Sequence, residues 1–219
     1  MIRRTCVGLT LGTCLVMAAM ATTIVALSPP AQAANIVDEW ASVKAEPAPT
    51  LKPVTVEPKT TALLIFDMVK QFCNPQGYAG CPSMIPTVKK LLTEARAKDV
   101  MVVYTSIPSV AKTDIDKELA PTGNEPFVQS SLDKFLNTDL EKILKDKGIT
   151  TIILTGLAAN GAIIVTSGEA ALRGFKVIVP VDAMTAKTPY AQQFTTWQLA
   201  NAPIISTKIK LTTSDIIKF

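Results

Sequence analysis

The chain has 219 residues, with 22 Lys and Arg, 18 Asp and Glu, and no His. The absence of histidine excludes Ser-His-Asp and Cys-His catalysis, and it argues against zinc or iron because histidine is the commonest ligand of both. The charges are nearly balanced and form no basic stripe, which argues against nucleic acid as a partner. No G-x-G-x-x-G follows a strand-like run and no P-loop motif occurs. We therefore predict neither a metal nor a cofactor.

Residues 1–33 have the features of a signal peptide. Arg3 and Arg4 precede a long apolar run, and residues 31–33 form the A-x-A pattern of a cleavage site. We predict an exported protein, periplasmic or secreted. The apolar run is also long enough to span a bilayer, so an uncleaved anchor is the alternative, and membrane association is expected only in that case. Residues 34–59 are proline-rich and are predicted to form an arm ahead of a domain at 60–219.

From residue 61 onward, apolar strand-like runs alternate with helical patterns. Strands are predicted at 61–68, 100–107, 150–157, 176–184 and 206–213, and helices at 85–99, 138–148, 160–173 and 189–201. This alternation predicts an α/β fold. Its sheet is expected to be doubly wound (Rossmann-like) and mostly parallel, with five to six strands and helices on both faces.

In such sheets ligands bind beyond the carboxyl ends of the strands, so the residues that follow each strand are the first candidates for a site. Asp67 follows a run of Leu, Ile and Phe, where an ionised carboxylate is costly unless it is hydrogen-bonded, paired or in use. It is interpreted either as a functional carboxylate or as the cap of a neighbouring loop. Ser106, Pro108 and the turn at 156–162 lie at equivalent positions, and Asp182 is interpreted as a loop-organising carboxylate.

The turn "GLAANGA" at residues 156–162 consists almost entirely of small residues ahead of a helix. Free backbone N–H groups at a helix start could hold an anion or a carbonyl oxygen. The alternative is that the small residues only let the helix pack closely on the sheet.

Cys73 and Cys81 flank a loop that contains Pro and Gly. Export would place them in an oxidising compartment, so we predict a disulfide between them. The alternative is a pair of free thiols. In that case Cys73, six residues after Asp67, could act as a nucleophile.

Two segments resemble the isochorismatase-like, or cysteine hydrolase, superfamily. The segment "ALLIFDMVKQFCNP" is similar to its first strand and acidic turn, and residues 133–186 are similar to its second half. The resemblance implies the doubly wound fold, a small-molecule substrate and a homo-oligomer. It implies an acid/base role for Asp67 and a cis peptide bond between Leu157 and Ala158. It also implies substrate-binding or oxyanion-binding roles for Phe72, Leu157, Ala158 and Gly161.

Two positions depart from the family pattern. The nucleophilic cysteine falls on Ala162, whose methyl group cannot form a thioester. The spacing from Phe135 puts the family lysine at Gln129. Lys134 is interpreted either as a shifted catalytic substitute for that lysine or as a surface residue.

The departures leave two hypotheses for the function. The first is an isochorismatase-like small-molecule hydrolase that uses Asp67 as a general acid/base without a covalent cysteine intermediate. The resemblance supplies a precedent in isochorismatase, where a small residue occupies the cysteine position and the aspartate protonates a vinyl ether carbon. The second is a catalytically inactive family member that acts as a periplasmic small-molecule-binding or structural protein.

Overall fold

Strands and helices alternate along the chain as the apolar pattern predicts. The computed structural model describes residues 35–219. Its strands are β1 (Val54–Thr55), β2 (Thr61–Phe66), β3 (Met101–Ser106), β4 (Phe127–Gln129), β5 (Thr151–Gly156), β6 (Lys176–Pro180), β7 (Ile209–Thr212) and β8 (Ile217–Lys218). Its α-helices are α1 (Ile36–Glu39), α2 (Cys81–Ala97), α3 (Leu140–Asp146), α4 (Ile164–Leu172) and α5 (Pro189–Asn201).

Six of the strands form one sheet in the order β4-β3-β2-β5-β6-β7. Every neighbouring pair in this sheet is parallel. From β2 the chain adds strands first on one side and then, from β5, on the other. Ligands of such sheets bind where the order reverses, which here lies between β2 and β5. The predicted doubly wound, parallel α/β fold is confirmed.

Both faces of the sheet are covered, which explains why the strands read as continuous apolar runs. All six residues of β2 are buried. Leu63 and Ile65 belong to the core on the α2 face, whereas Leu64 and Phe66 belong to the core on the face of α3, α4 and α5. The period of two in a strand assigns alternate side chains to opposite faces. The central strand is thus held by packing on both sides.

Several elements differ from their predicted bounds; α2, for example, begins at Cys81 and not at residue 85. The short edge strand β4 was not predicted, since only three residues extend the sheet beside β3. The helix predicted from residue 160 begins as α4 at Ile164. Residues 159–163 form a wider, π-type turn in which Asn160 and Gly161 leave helical geometry. An extra turn of chain therefore separates the end of β5 from the first residue of α4.

Part of the proline-rich arm is built into the domain. β1 pairs in parallel with β8, and Val54 and Val56 are buried. The Lys52 N–H donates to the Leu211 carbonyl at 3.2 Å. Residues 46–219 form one compact unit, and residues 35–45, which include α1, lie outside it. The compact unit thus begins ahead of residue 60, because N–H groups between the prolines donate hydrogen bonds to neighbouring strands.

The predicted signal peptide at 1–33 and its cleavage site lie outside the described residues, and they stay predictions. From residue 35 to the carboxyl terminus, no helix is long and apolar enough to cross a membrane.

Candidate active site

Asp67 follows β2 at the carboxyl edge of the sheet. Its φ of 55° lies in the left-handed region, which Asp adopts more readily than most residues that carry a Cβ. Its N–H donates to the Thr105 carbonyl at 3.0 Å and so ties the turn to β3. Only 10% of its side chain is exposed. The carboxyl is therefore held at the switch point of the sheet with a small opening to solvent.

A buried lysine neutralises this carboxyl. The Nζ of Lys134 lies 3.1 Å from each oxygen of Asp67, and none of its side chain is exposed. The same Nζ donates to the Ser130 carbonyl at 3.2 Å and lies 5.8 Å from the centroid of the Phe66 ring. Such burial contradicts the interpretation of Lys134 as a surface residue. It favours the alternative in which Lys134 supplies the cation of the site.

Lys134 is fixed by hydrogen bonds between its own loop and α4. Its N–H donates to the Thr166 hydroxyl at 3.2 Å, which in turn donates to the Leu132 carbonyl at 3.1 Å. Gln129, where the spacing placed the family lysine, instead donates to the carbonyls of Pro108 and Val110. The loop before α3 thus folds so that a lysine five positions later reaches the carboxyl.

Burial shifts both members of the pair toward their neutral forms. Desolvation raises the pKa of Asp67, and the charge and hydrogen bond of Lys134 and the nearby Ser106 hydroxyl act against this shift. Desolvation also lowers the pKa of Lys134, against the opposing effect of Asp67. A raised carboxyl pKa keeps more of the acid form near neutral pH. That is the property a general acid needs.

The small-residue turn after β5 lies beside Asp67. Gly156 has a φ of 107°, and a Cβ at this position would come within 2.1 Å of the Phe66 carbonyl oxygen. Only glycine fits there. The Leu157 N–H donates to that same carbonyl at 2.9 Å, and the peptide bond between Leu157 and Ala158 is cis, as the resemblance implies. The backbone of this turn therefore adjoins the residue that carries the carboxyl.

The same turn carries Ala162, on which the resemblance places the family's nucleophilic cysteine. Ala162 is buried and lies within the π-type turn at 159–163. The Ala159 N–H is bonded to the Thr185 carbonyl at 2.8 Å, and the Gly161 N–H to the Ala158 carbonyl at 3.0 Å. Within residues 35–219 the Ala158 N–H donates to no backbone carbonyl. Of these groups it is the one available to a ligand oxygen.

Tyr78 and Lys187 were not singled out by the sequence analysis. Tyr78 is half-buried and packs against the same core as Phe72, Ile107 and Ala158. Burial and, to a smaller extent, the negative charge of Asp67 raise the pKa of Tyr78. Lys187 lies with its Nζ 5.7 Å from the centroid of the Tyr78 ring. The signal for Tyr78 was its place inside the loop between the two cysteines.

Cys73 and Cys81 form the predicted disulfide. It joins the segment after Asp67 to the first residue of α2 and closes the loop that carries Tyr78. A disulfide-bonded Cys73 offers no thiolate, which excludes it as a nucleophile in this structure.

Removing the disulfide is expected to destabilise the protein. The bond closes a loop of sequence separation 8, for which the chain-entropy model gives about 2.5 kcal/mol. The double variant Cys73→Ser/Cys81→Ser should lose about that much free energy of unfolding in a urea titration. Adding a reductant should lower the Tm of the parent protein and leave the Tm of the variant unchanged. Equal stabilities of the two proteins would show that the loop is held by its other contacts.

Asp182 has the loop-organising role expected for it. Its carboxyl accepts a hydrogen bond from the Ser214 N–H at 2.8 Å and another from the Ser214 hydroxyl. It thereby joins the end of β6 to the segment between β7 and β8. Asp182 and Asp67 both follow strands of one sheet, but of the two it is Asp67 that is paired with the buried lysine.

The fold and the site together define an α/β protein with a buried acid–cation pair at the switch point of its sheet. The family model described as "Isochorismatase domain" matches residues 61–209, which is more than half of the chain. The chain belongs to the isochorismatase family of hydrolases. This agrees with the resemblance found in the sequence.

Individual relatives are distant. The chain is 26% identical over 171 residues to the N-carbamoylsarcosine amidase of Arthrobacter sp., covering 64% of this chain and 65% of the relative. It is 24% identical over 156 residues to the ureidoacrylate amidohydrolase RutB of Rhizobium rhizogenes, covering 50% and 63%. It thus spans less than two thirds of the length of either relative. A solved isochorismatase-like hydrolase from Alkaliphilus metalliredigens superposes with a TM-score of 0.61 at 26% identity, covering 71% of this chain and 96% of that one.

Proposed function

We propose that the protein hydrolyses a small molecule by acid/base chemistry at Asp67, without a covalent cysteine intermediate. The observation that carries the proposal is the buried pair of Asp67 and Lys134 at 3.1 Å, beside a turn that offers Ala162 where the family has its cysteine. The carboxyl can move protons. The alanine methyl cannot attack a carbon.

In the proposed reaction the acid form of Asp67 protonates the substrate. The proton goes to the leaving nitrogen of an amide or to the carbon of a vinyl ether. Water attacks the electrophilic carbon, one of its protons returns to the Asp67 carboxylate, and the C–N or C–O bond breaks. In the vinyl ether case the hydroxyl proton of the resulting hemiketal moves to the leaving oxygen as the C–O bond breaks. One water molecule is consumed and the carboxyl is regenerated, so neither a nucleophilic side chain nor a cofactor is needed.

Lys134 and the turn backbone have electrostatic roles in this proposal. The ammonium group offsets the charge of the Asp67 carboxylate in the middle of the cycle, when the proton has left. The Ala158 N–H, which has no backbone acceptor among residues 35–219, is available to an oxygen that gains negative charge. Donors already fixed in a poorly solvated site stabilise such charge more effectively than water does.

The substrate is proposed to be small, because only a tenth of the Asp67 side chain is open to solvent. Two relatives are named an amidase and an amidohydrolase. Amides and ureido acids are therefore the first compounds to test, followed by vinyl ethers. Isochorismate itself is a poor candidate for an exported protein, because it would be met inside the cell.

Export and self-association are part of the proposal. The signal-like segment at 1–33 and the disulfide between Cys73 and Cys81 both fit a periplasmic or secreted location. The family resemblance suggests a homo-oligomer, which size-exclusion chromatography with light scattering would test.

Turnover is expected to survive thiol alkylation. Within residues 35–219 both cysteines are disulfide-bonded, so iodoacetamide applied to a protein that begins at residue 35 should leave the rate unchanged. Intact-mass analysis during turnover of an amide panel should reveal no covalent adduct. A cysteine hydrolase of known activity, treated in parallel, should lose its activity and provides the control.

Two outcomes would contradict the proposal. Loss of activity on alkylation, or an acyl adduct in the mass spectrum, would mean that a covalent route operates. A rise in Tm with a compound that the protein never converts would instead favour the inactive, ligand-binding family member.

A further inference from the structure

Ser106 carries a buried hydroxyl that the fold leaves without a partner. It is the last residue of β3 and none of its surface is exposed. In the part of the chain that the structure describes, its Oγ makes no hydrogen bond that meets normal geometry. A buried hydroxyl without a partner destabilises a fold, so its presence calls for an explanation.

The position of Ser106 beside Asp67 follows from the strand register. β2 and β3 pair in parallel with Phe66 opposite Thr105, and the Asp67 N–H continues the ladder to the Thr105 carbonyl. The next residues on the two strands are Asp67 and Ser106. The register thus makes Ser106 the neighbour of Asp67 on the adjacent strand, and Ser106 is among the groups that lower the pKa of Asp67.

Ser106 is also joined to the other member of the pair. Its carbonyl accepts the Ser130 N–H at 2.9 Å, and the Ser130 carbonyl accepts from the Nζ of Lys134 at 3.2 Å. Ser106 is thus the neighbour of Asp67 in the strand register and supports the lysine through its backbone. A change of its side chain alone leaves the backbone part of this arrangement in place.

The chemistry of the pair explains what such a hydroxyl can do. A general acid alternates between a carboxylate, which accepts hydrogen bonds, and a carboxylic acid, which must also donate one. The ammonium of Lys134 can only donate, so it serves the carboxylate and not the acid O–H. A serine hydroxyl rotates to donate or to accept, and it can serve both forms.

We propose that Ser106 is a positioning residue for Asp67, whose hydroxyl donates to the carboxylate and accepts from the carboxylic acid as the proton moves. This rests on the proposed acid/base role of Asp67. The hydroxyl keeps the carboxyl in one orientation through the cycle, and the titratable groups that interact with that carboxyl are Lys134 and Tyr78.

The test compares three substitutions of buried serines. Ser106→Ala should lower kcat about tenfold, the factor that corresponds to one lost hydrogen bond of ordinary strength, with a smaller effect on KM. It should also move the Asp67 limb of the pH–rate profile to higher pH, because a group that lowers the pKa is gone. Ser106→Thr keeps a hydroxyl and should restore both properties. Ser167→Ala removes a hydroxyl that is equally buried and unpartnered, and it should change neither.

A second readout does not depend on turnover. Carbon-13 NMR of labelled Asp reports the pKa of the Asp67 carboxyl directly, and Ser106→Ala should raise it while Ser167→Ala leaves it unchanged. An unchanged carboxyl pKa in Ser106→Ala would overturn the inference, as would an equal effect of both alanine variants. If the parent protein converts no compound, the proposed function fails on that ground while the NMR comparison still decides the role of Ser106.

Discussion

Replacing Asp67 by Asn is expected to lower kcat/KM by at least about a hundredfold, the usual contribution of a general acid or base. The amide keeps the size of the side chain but can neither give up a proton at neutral pH nor take one from water. Steady-state kinetics on whichever substrate the amide panel identifies would measure the loss. Circular dichroism at the assay temperature would confirm that the variant is folded.

The matched control for this experiment is Asp182→Asn. Asp182 also follows a strand of the same sheet, but its carboxyl is hydrogen-bonded to Ser214, whereas Lys134 is paired with Asp67. Its substitution should cost some stability through the loop and leave kcat/KM within about threefold, as for changes away from a catalytic centre. The acid/base mechanism is refuted if the Asp67 variant retains full activity.

Replacing Lys134 by Met is expected to impair both stability and activity. The lysine side chain is fully buried, and removing one partner of a buried ion pair costs about 3–5 kcal/mol because the other charge remains without compensation. The remaining carboxyl would escape the cost by holding its proton more tightly. The pKa of Asp67, already raised by burial, should therefore rise further once the charge and hydrogen bond that oppose burial are gone.

The sign of the pH effect follows from this shift. If the acid form of Asp67 starts the reaction, the rate falls as pH rises through its pKa. In Lys134→Met this descending limb should move to higher pH, with a lower plateau because the carboxylate formed in mid-cycle is no longer neutralised. Urea titrations of Lys134→Met should show a stability loss that grows as pH rises through the pKa of Asp67 in the folded state, since the ionised carboxyl then lies buried and unpaired.

Two further variants separate the ion pair from general effects. The double variant Asp67→Asn/Lys134→Met removes both charges and should recover part of the stability lost by Lys134→Met alone. Lys142→Met removes an exposed lysine that is paired with Asp146 on α3, and it should leave the free energy of unfolding nearly unchanged because exposed ion pairs stabilise little. If the stability loss of the double variant equalled the sum of the losses in Asp67→Asn and Lys134→Met, the two side chains would not be energetically coupled.

The disulfide anchors the loop that carries Tyr78. Tyr78 is carried by the disulfide-closed loop and stands between Asp67, which raises its pKa, and Lys187, which lies over its ring. The disulfide fixes this loop to the first residue of α2. Tyr78 is thus held by a covalent link to the scaffold as well as by its packing against the core.

Much of the architecture could be predicted from local patterns. The alternation of apolar runs with helical spacing predicted the parallel sheet, because burial on both faces leaves a continuous apolar signature in each strand. Asp67 stood out because a charged residue at the end of such a run is costly unless it is used or paired. The disulfide followed from two cysteines at a short separation. These features depend on neighbours along the chain.

Other features depend on contacts between distant segments. β4 has three residues and no pattern of its own, and β1 pairs with β8 from the far end of the chain. The start of α4 could not be placed because the π-type turn at 159–163 is built from the same small residues that a helix would accept. Single-sequence patterns contain no information on such pairings.

The sequence by itself determined the class of fold, the aspartate at the end of an apolar strand at residue 67 and the absence of a cysteine at 162. The tertiary structure decided that Lys134 completes the pair, across 67 positions of the chain. Counting along the sequence pointed to Gln129, but the hydrogen bonds from Thr166 on α4 fix the loop so that Lys134 turns inward. The side chain that reaches a buried carboxyl is selected by the packing of the loop against its neighbours, which residue spacing alone does not encode.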